Sequence, residues 1–214
     1  MALSKKEERL ERKERRQATR KKALVDAARK VIARDGLEGL TLAAVAAEVD
    51  VSPPAIYYYY RSKEALAEAV AMALVVEETD TCVRAIEDVE PVDALAACVH
   101  ARVDHYLAHP QNYLLLYQLF VTVGFSEKNL EHGLYAQGYR LLGRLEEAIL
   151  ASQKEGRMAP GLDARKLANV AFAISQGILA MQIGTESAGG SLRFTARELT
   201  ESALDTLREG WRPR

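Results

Sequence analysis

The tightest constraint on this 214-residue chain is the stretch V-S-P-P-A-I-Y-Y-Y-Y-R-S-K at residues 51–63. Two adjacent prolines break any helix they interrupt, because each lacks a backbone N–H and clashes with the preceding turn. At the first two positions of a helix the pair does little harm, since the N–H groups there have no partner within the helix. A short helix is therefore expected to open at Pro53, with Ser52 as its cap. Because Pro54 has no N–H, the target left for the Ser52 hydroxyl is the N–H of Ala55. Ile56 is the inward anchor. Tyr57, Tyr58, Tyr59 and Tyr60 cannot all be buried on one short turn, so at least two face outward, offering hydroxyls to phosphates and ring faces to bases.

The flanking residues extend the pattern. Thr41 is placed to cap a helix reaching about Val49, with Leu42, Val45, Ala46 and Val49 at helical spacing toward a core. Ala46 is small where a second helix crosses closely. At Asp50 the chain must turn through the left-handed region, which glycine tolerates best and Asp acceptably. Ser62 caps a third helix, and Lys63 in its first turn opposes the helix dipole, a placement that suits an external anion such as phosphate. Two short helices, a tight turn and the start of a third form the layout of a helix-turn-helix DNA reader.

The segment resembles the tetracycline-repressor (TetR/AcrR-like) family of transcriptional regulators, whose signature reads T-x-x-x-I-A-x-x-A-G-V-S-x-G-x-L-Y-x-H-F-x-S-K-E-x-L. This chain matches at Thr41, Ala46, Val51, Ser52, Tyr57, Ser62, Lys63, Glu64 and Leu66. It departs at Asp50 and Pro54, where the pattern has glycine, and at Tyr59 and Tyr60, where it has His-Phe. The resemblance covers about an eighth of the chain and implies an all-α fold: an N-terminal three-helix reader followed by a helical ligand-binding and dimerisation region. The expected boundaries are a basic arm at 1–17, the reader at 18–66 and the remainder at 67–214.

Composition agrees with that class. A 49% hydrophobic content can fill a real core, and 6 prolines and 13 glycines with little period-two alternation favour helices. Two cysteines, Cys82 and Cys98, are too few for a disulfide scaffold. No signal peptide or run of 18 apolar residues is evident, so a soluble, cytoplasmic protein without a membrane partner is expected. The net charge of -1 hides an asymmetry: residues 1–68 carry 15 Lys and Arg against 11 Asp and Glu, the remainder 14 against 19. A basic end and an acidic body suit one nucleic-acid face.

The arm from Ser4 to Lys22 holds ten Lys and Arg and four Glu with hardly any apolar residue, so it is expected to be mobile or only partly helical in isolation. It reads equally as a solvated tail or as a grip on DNA phosphates. Helix 1 is expected from about Ala18 to Asp35, with Leu24, Ala28, Val31 and Ile32 inward and Gly36 as its stop. A fourth helix runs from Lys63 to about Ala85 without a Gly or Pro break, a connector able to transmit movement. Pro91 opens a fifth that ends at His109-Pro110, and a sixth ends near Gly124. Ser126 caps a seventh, which continues to Gly156. Asp163 caps an eighth, Ala164 to about Ile183, and Thr195 with Glu198 forms a capping box for a ninth.

The eighth helix is apolar nearly all round and needs cover on more than one side. Ala173, Gly177 and Ala180, with Leu199, Ala203 and Leu207 of the ninth, are candidate contacts of a homodimer, with ordinary internal packing as the other reading. Tyr106, Tyr113, Tyr117, Phe120 and Phe172 concentrate aromatic surface. The resemblance implies that the body helices enclose a cavity, where these side chains and Gln176 would take a small hydrophobic or amphipathic effector.

No nucleophile–base pair, metal motif or phosphate loop accompanies these features, so neither an enzyme nor a cofactor is expected. His100, His105 and His109 lack the carboxylate partner of a metal site. The expected function is ligand-responsive transcriptional regulation, most often repression in the resembling family, on a roughly palindromic double-stranded DNA operator. Pro53, Pro54, Ala55 and Tyr57 would face the bases, Ala43 would back the groove, and Thr41, Tyr58 and Lys63 would hold phosphates. A constitutive or architectural DNA-binding protein without an effector is the alternative.

Overall fold

A computed structural model describes residues 5–123 and 134–213, with the side chains of 9–119 and 136–213. The described residues are helical, without a strand. They divide into two compact units, one of the described residues up to 73 with 119–123, the other of 74–118 with those from 134 to 213.

In the first unit, α1 spans Lys5–Asp35, α2 Leu42–Glu48 and α3 Pro53–Tyr57. The start of α4, Lys63–Glu87, completes it. The described part of the arm is helical from Lys5 and runs without a break into helix 1. The residues responsible are Glu, Lys, Arg, Gln and Ala, whose straight or short side chains lose little freedom in a helix. Glu11 and Arg15, and Lys22 and Asp26, add pairs four residues apart. Nucleation is supplied by the packed half, where Leu24, Ala28 and Val31 are buried, as are Leu40, Val45, Ile56 and Leu66 of the same unit.

Two backbone positions fix the turns. Gly36 adopts φ 73° and its N–H donates to the Ile32 carbonyl at 2.9 Å, ending α1. At Gly39 a Cβ atom would lie 2.4 Å from Asp35 Cβ, so only glycine fits where the chain passes the end of α1.

The second unit holds the rest of α4, a 3₁₀ turn at Pro91–Asp93, α5 Ala94–Ala108 and the first part of α6, Pro110–Val123. It continues with α7 Leu134–Lys154, α8 Ala164–Ser187 and α9 Ala196–Trp211. The expected Ser126 cap of α7 lies outside the described residues. Helix α8 packs against α5, α7 and α9. Its Asp163 cap accepts from the Lys166 N–H at 2.9 Å, and the Thr195–Glu198 capping box of α9 is complete. Among the described helices α8 alone is long and apolar enough to cross a membrane. Its buried polar residues are satisfied inside the unit: Ser175 accepts from Arg102, and Gln182 accepts from the Ala196 N–H at 2.8 Å while donating to Glu186.

Candidate DNA-binding surface

The reader is built from the turn outward. Thr41 Oγ1 accepts from the Ala44 N–H at 3.0 Å, fixing the start of α2. Asp50 sits at φ 51°, the left-handed conformation expected of the turn, and its carbonyl side leads into α3. At Ser52 the expected cap is corrected. The residue holds the N-cap position, but its hydroxyl makes no capping bond; the Ala55 N–H donates to the Ser52 carbonyl at 2.9 Å instead. The proline pair leaves one early N–H, and the backbone turn already satisfies it, so the hydroxyl stays exposed.

Ile56 is fully buried, which anchors the short helix by roughly 1.5–3 kcal/mol of apolar transfer. Around this anchor Pro53, Pro54 and Ala55 are exposed, and Tyr57 and Tyr58 are 56% and 68% exposed. Tyr59 is half-buried with its ring edge-on to Tyr58, and Tyr60 is buried, which raises its hydroxyl pKa by desolvation. Thus two of the four tyrosines face out and one is core. Thr41 and Ala43 are exposed on α2.

Ser62 Oγ accepts from the Ala65 N–H at 3.2 Å, capping α4. Lys63 is half-buried, and its Nζ lies 3.5 Å from the Glu38 carbonyl, a long contact that leaves capacity for an anion. Glu64, in the same first turn, has its pKa lowered chiefly by a backbone N–H bond. Ion pairs from Arg34 and Lys30 to Glu48, at 3.2 and 3.8 Å, fasten α2 to α1.

The candidate effector residues belong to different environments. Tyr106 and Tyr113 are buried with rings 5.3 Å apart, Gln176 is half-buried, and Tyr117 and Phe172 are largely exposed. The Phe120 side chain lies outside the described residues. What the sequence did not reveal is the ionic centre joining several of them. Arg102 on α5 donates to Glu78 on α4 at 2.6 Å, to Ser175 at 2.9 Å and to Gln176 at 2.5 Å. Tyr106 donates to the other Glu78 oxygen at 2.5 Å, and Gln176 Nε2 donates to the Tyr113 hydroxyl at 2.9 Å. Arg102 also stacks 4.3 Å above the Phe172 ring. Burial alone would lower the Arg102 pKa, but the Glu78 charge and hydrogen bond outweigh it and the net shift is upward. Burial, then the Glu78 charge, drives the Tyr106 hydroxyl well above its usual range. A lone Arg in the run A-R-V-D-H-Y gives no sign of a partner 24 residues earlier, so spacing rules could not find this pair.

Of the dimer candidates, Ala173, Gly177 and Ala180 are exposed on α8, while Leu199, Ala203 and Leu207 are partly exposed on α9. Cys82 and Cys98 are buried, with Cys82 Sγ 3.8 Å from the Cys98 carbonyl.

The geometry of the first unit defines a helix-turn-helix protein of the DNA-reading class. The bacterial regulatory proteins of the tetR family match residues 24–70. The nicotine-responsive transcriptional repressor HdnoR of Paenarthrobacter nicotinovorans is 27% identical over 165 residues, covering 74% of this chain and 80% of that protein. A protein of unknown function from Rhodococcus sp. RHA1 superposes with a TM-score of 0.71 at 28% identity, over 89% of this chain and 94% of the other. FadR from Bacillus subtilis, solved in complex with stearoyl-CoA, gives a TM-score of 0.66 at 18% identity, over 88% and 97% of the two chains, a likeness of fold alone. Over residues 24–70 the chain carries a domain similar to that of the tetR family of bacterial regulatory proteins.

Proposed function

We propose that the protein acts as a homodimeric repressor, released from a roughly palindromic operator by a small hydrophobic or amphipathic effector. The observation that carries the DNA half is the exposed row Pro53, Pro54, Ala55, Tyr57 and Tyr58 held over a buried Ile56. Such a helix lies against base edges in the major groove, with two copies about 34–36 Å apart or somewhat further. Pro53, Pro54 and Ala55 offer apolar contact to thymine methyls, and Ala43 backs the groove. Tyr57 supplies the hydrogen-bonding group, and Thr41, Tyr58 and Lys63 hold backbone phosphates.

The homodimer is supported by the outer face of α8. Val170, Ala173, Gly177, Ala180, Met181 and Gly184 recur at helical spacing within one arc, all exposed and none charged. The small residues among them permit close approach of a second helix. On this reading a second copy, rather than a bilayer, covers the face, and the protein works in the cytoplasm.

The effector half is supported by the polar centre beneath Phe172. Tyr113, Gln176 and Arg102 offer convergent polar groups beside exposed Tyr117 and Phe172, the mixture that orients a mainly apolar small molecule. One repressor similar by sequence is nicotine-responsive and the FadR structure holds stearoyl-CoA, so heteroaromatic amines and acyl thioesters are the first chemistries to try. Binding releases DNA only through a difference in affinity between two states, one of which spaces the two readers wrongly for the operator.

The test is a thermal-shift panel of amines, fatty acids and acyl-CoA esters, followed by operator release with each hit. Stabilisation together with release supports the reading. Stabilisation by no compound, with undiminished DNA binding throughout, identifies a constitutive binder instead.

A further inference from the structure

We infer that the helical arm and the end of the reader helix form one cleft that grips the phosphate backbone of duplex DNA beside the bases read by α3. This rests on the DNA-binding reading above and assigns the arm its part in it. The cleft, of about 420 Å³, is lined by Arg9, Arg12, Lys13, Arg16 and Gln17 of α1 and by Tyr58 and Tyr59 at the end of the reader. A second, similar hollow continues along the same helix past Arg20.

Helical periodicity explains why the charge is useful here. At 100° per residue, Arg9, Arg12, Lys13, Arg16 and Arg20 fall within an arc of roughly 100° that holds neither Glu11 nor Glu14, which lie on the opposite side with Arg15, Lys21 and Lys22. An arm that merely kept the chain soluble would gain nothing from this segregation. All five cations are exposed, and Arg9, Arg12, Lys13 and Arg16 have no ion-pair partner among the described residues. From Arg9 to Arg20 the stripe spans about 16 Å at 1.5 Å per residue, the axial rise of about five nucleotides.

The stripe is joined to the reader by one bond. Gln17 Nε2 donates to the Tyr58 hydroxyl at 2.9 Å. A hydroxyl that accepts in this way still has its own proton to donate, and that proton is available to a phosphate oxygen in the cleft. Gln17 thereby holds Tyr58 at the boundary between base contact and backbone contact. Duplex DNA is favoured over a bilayer because, among the described side chains of the arm, Leu10 is the large apolar one exposed, which is little surface to offer a membrane.

The experiment measures affinity of the full chain for a 30-base-pair duplex of random sequence across a salt series, with binding to a selected operator alongside. Replacing Arg9, Arg12 and Arg16 by Gln is expected to reduce the slope of log affinity against log salt by about 2–3 on both duplexes. The corresponding triple Lys variant should restore it. Glu11→Gln with Glu14→Gln raises net charge on the opposite side and should leave the slope unchanged. Circular dichroism checks that α1 remains helical in each.

Unchanged slope and affinity in the Gln variant overturn the inference while leaving the reader intact. An equal response to the Glu substitutions shows diffuse charge rather than a cleft and also overturns it. Loss of binding to phosphatidylserine vesicles with duplex binding preserved assigns the cleft to a membrane and overturns it too. If the unaltered protein binds neither duplex, the DNA reading itself falls, and this inference with it.

Discussion

Arg102 Nε lies 2.6 Å from Glu78 Oε1 with both side chains buried, so α4 and α5 of the second unit are tied by an ion pair away from water. Removing one member strands the other charge at a cost of about 3–5 kcal/mol, whereas replacing both by apolar groups of similar size is often neutral or better. Urea unfolding should therefore show Glu78→Leu strongly destabilised and the Glu78→Leu, Arg102→Met pair much closer to the unaltered protein. If the pair is also part of effector recognition, the double variant will be stable yet deaf to any ligand the panel finds.

Asp50 occupies the left-handed region at φ 51°, where a β-branched residue has no easy conformation. Asp50→Val should destabilise the first unit by about 1–2 kcal/mol. Asp50→Gly trades relief of that strain against the entropy of a freer unfolded chain and should stay within about 1 kcal/mol of the original. Chemical denaturation of the two variants checks both values.

His105 has its pKa lowered, mainly by burial, with Glu78 acting in the opposite sense. The imidazole is thus more easily protonated in the unfolded chain than in the folded one. Its contribution leaves stability unaffected well above an unfolded value of about 6.5, and stability falls as pH drops below that value toward the lowered folded one. His105→Gln should make stability measured between pH 7 and pH 5 decline less steeply.

Met181 is 55% exposed and Gly177 lies one turn before it on the outer face of α8. Gly177→Arg with Met181→Glu should leave the protomer's helicity intact, because both side chains can point to solvent. Light scattering should nonetheless report a monomer, against the dimer proposed for the unaltered protein, and operator affinity should fall with it.

How much of this was legible in the sequence follows from how local each cause is. Thr41, Asp50, Ser62, Asp163 and the Thr195–Glu198 box act within four residues of themselves, and the structure places them as their spacing suggested. Ser52 failed for a local reason as well: the backbone carbonyl reached the Ala55 N–H before the hydroxyl did. The arm's helical continuity with the packed half of α1 was not legible, because composition weighs charge but not continuity. An exposed basic segment joined to a packed helix does not have to nucleate one for itself. The Arg102–Glu78 centre was invisible because its members meet only through folding, from helices whose apolar periodicity gives no sign of a polar interior. The residues proposed for the reader were the most readable, since prolines and tyrosines in that order leave few conformations open.

The central claim is that α3 presents Tyr57 to DNA with Lys63 on the backbone beside it. Selection of bound duplexes from a random-sequence pool tests it most directly, followed by salt-dependent binding of the winners to the original protein, Tyr57→Ala and Lys63→Ala. The account predicts enrichment of a two-fold related site bound by two protomers. It also predicts that Tyr57→Ala relaxes preference at defined base positions, and that Lys63→Ala weakens binding to all sequences with a salt slope smaller by about 1. No enriched site, or a Lys63→Ala loss confined to one base position, would contradict it.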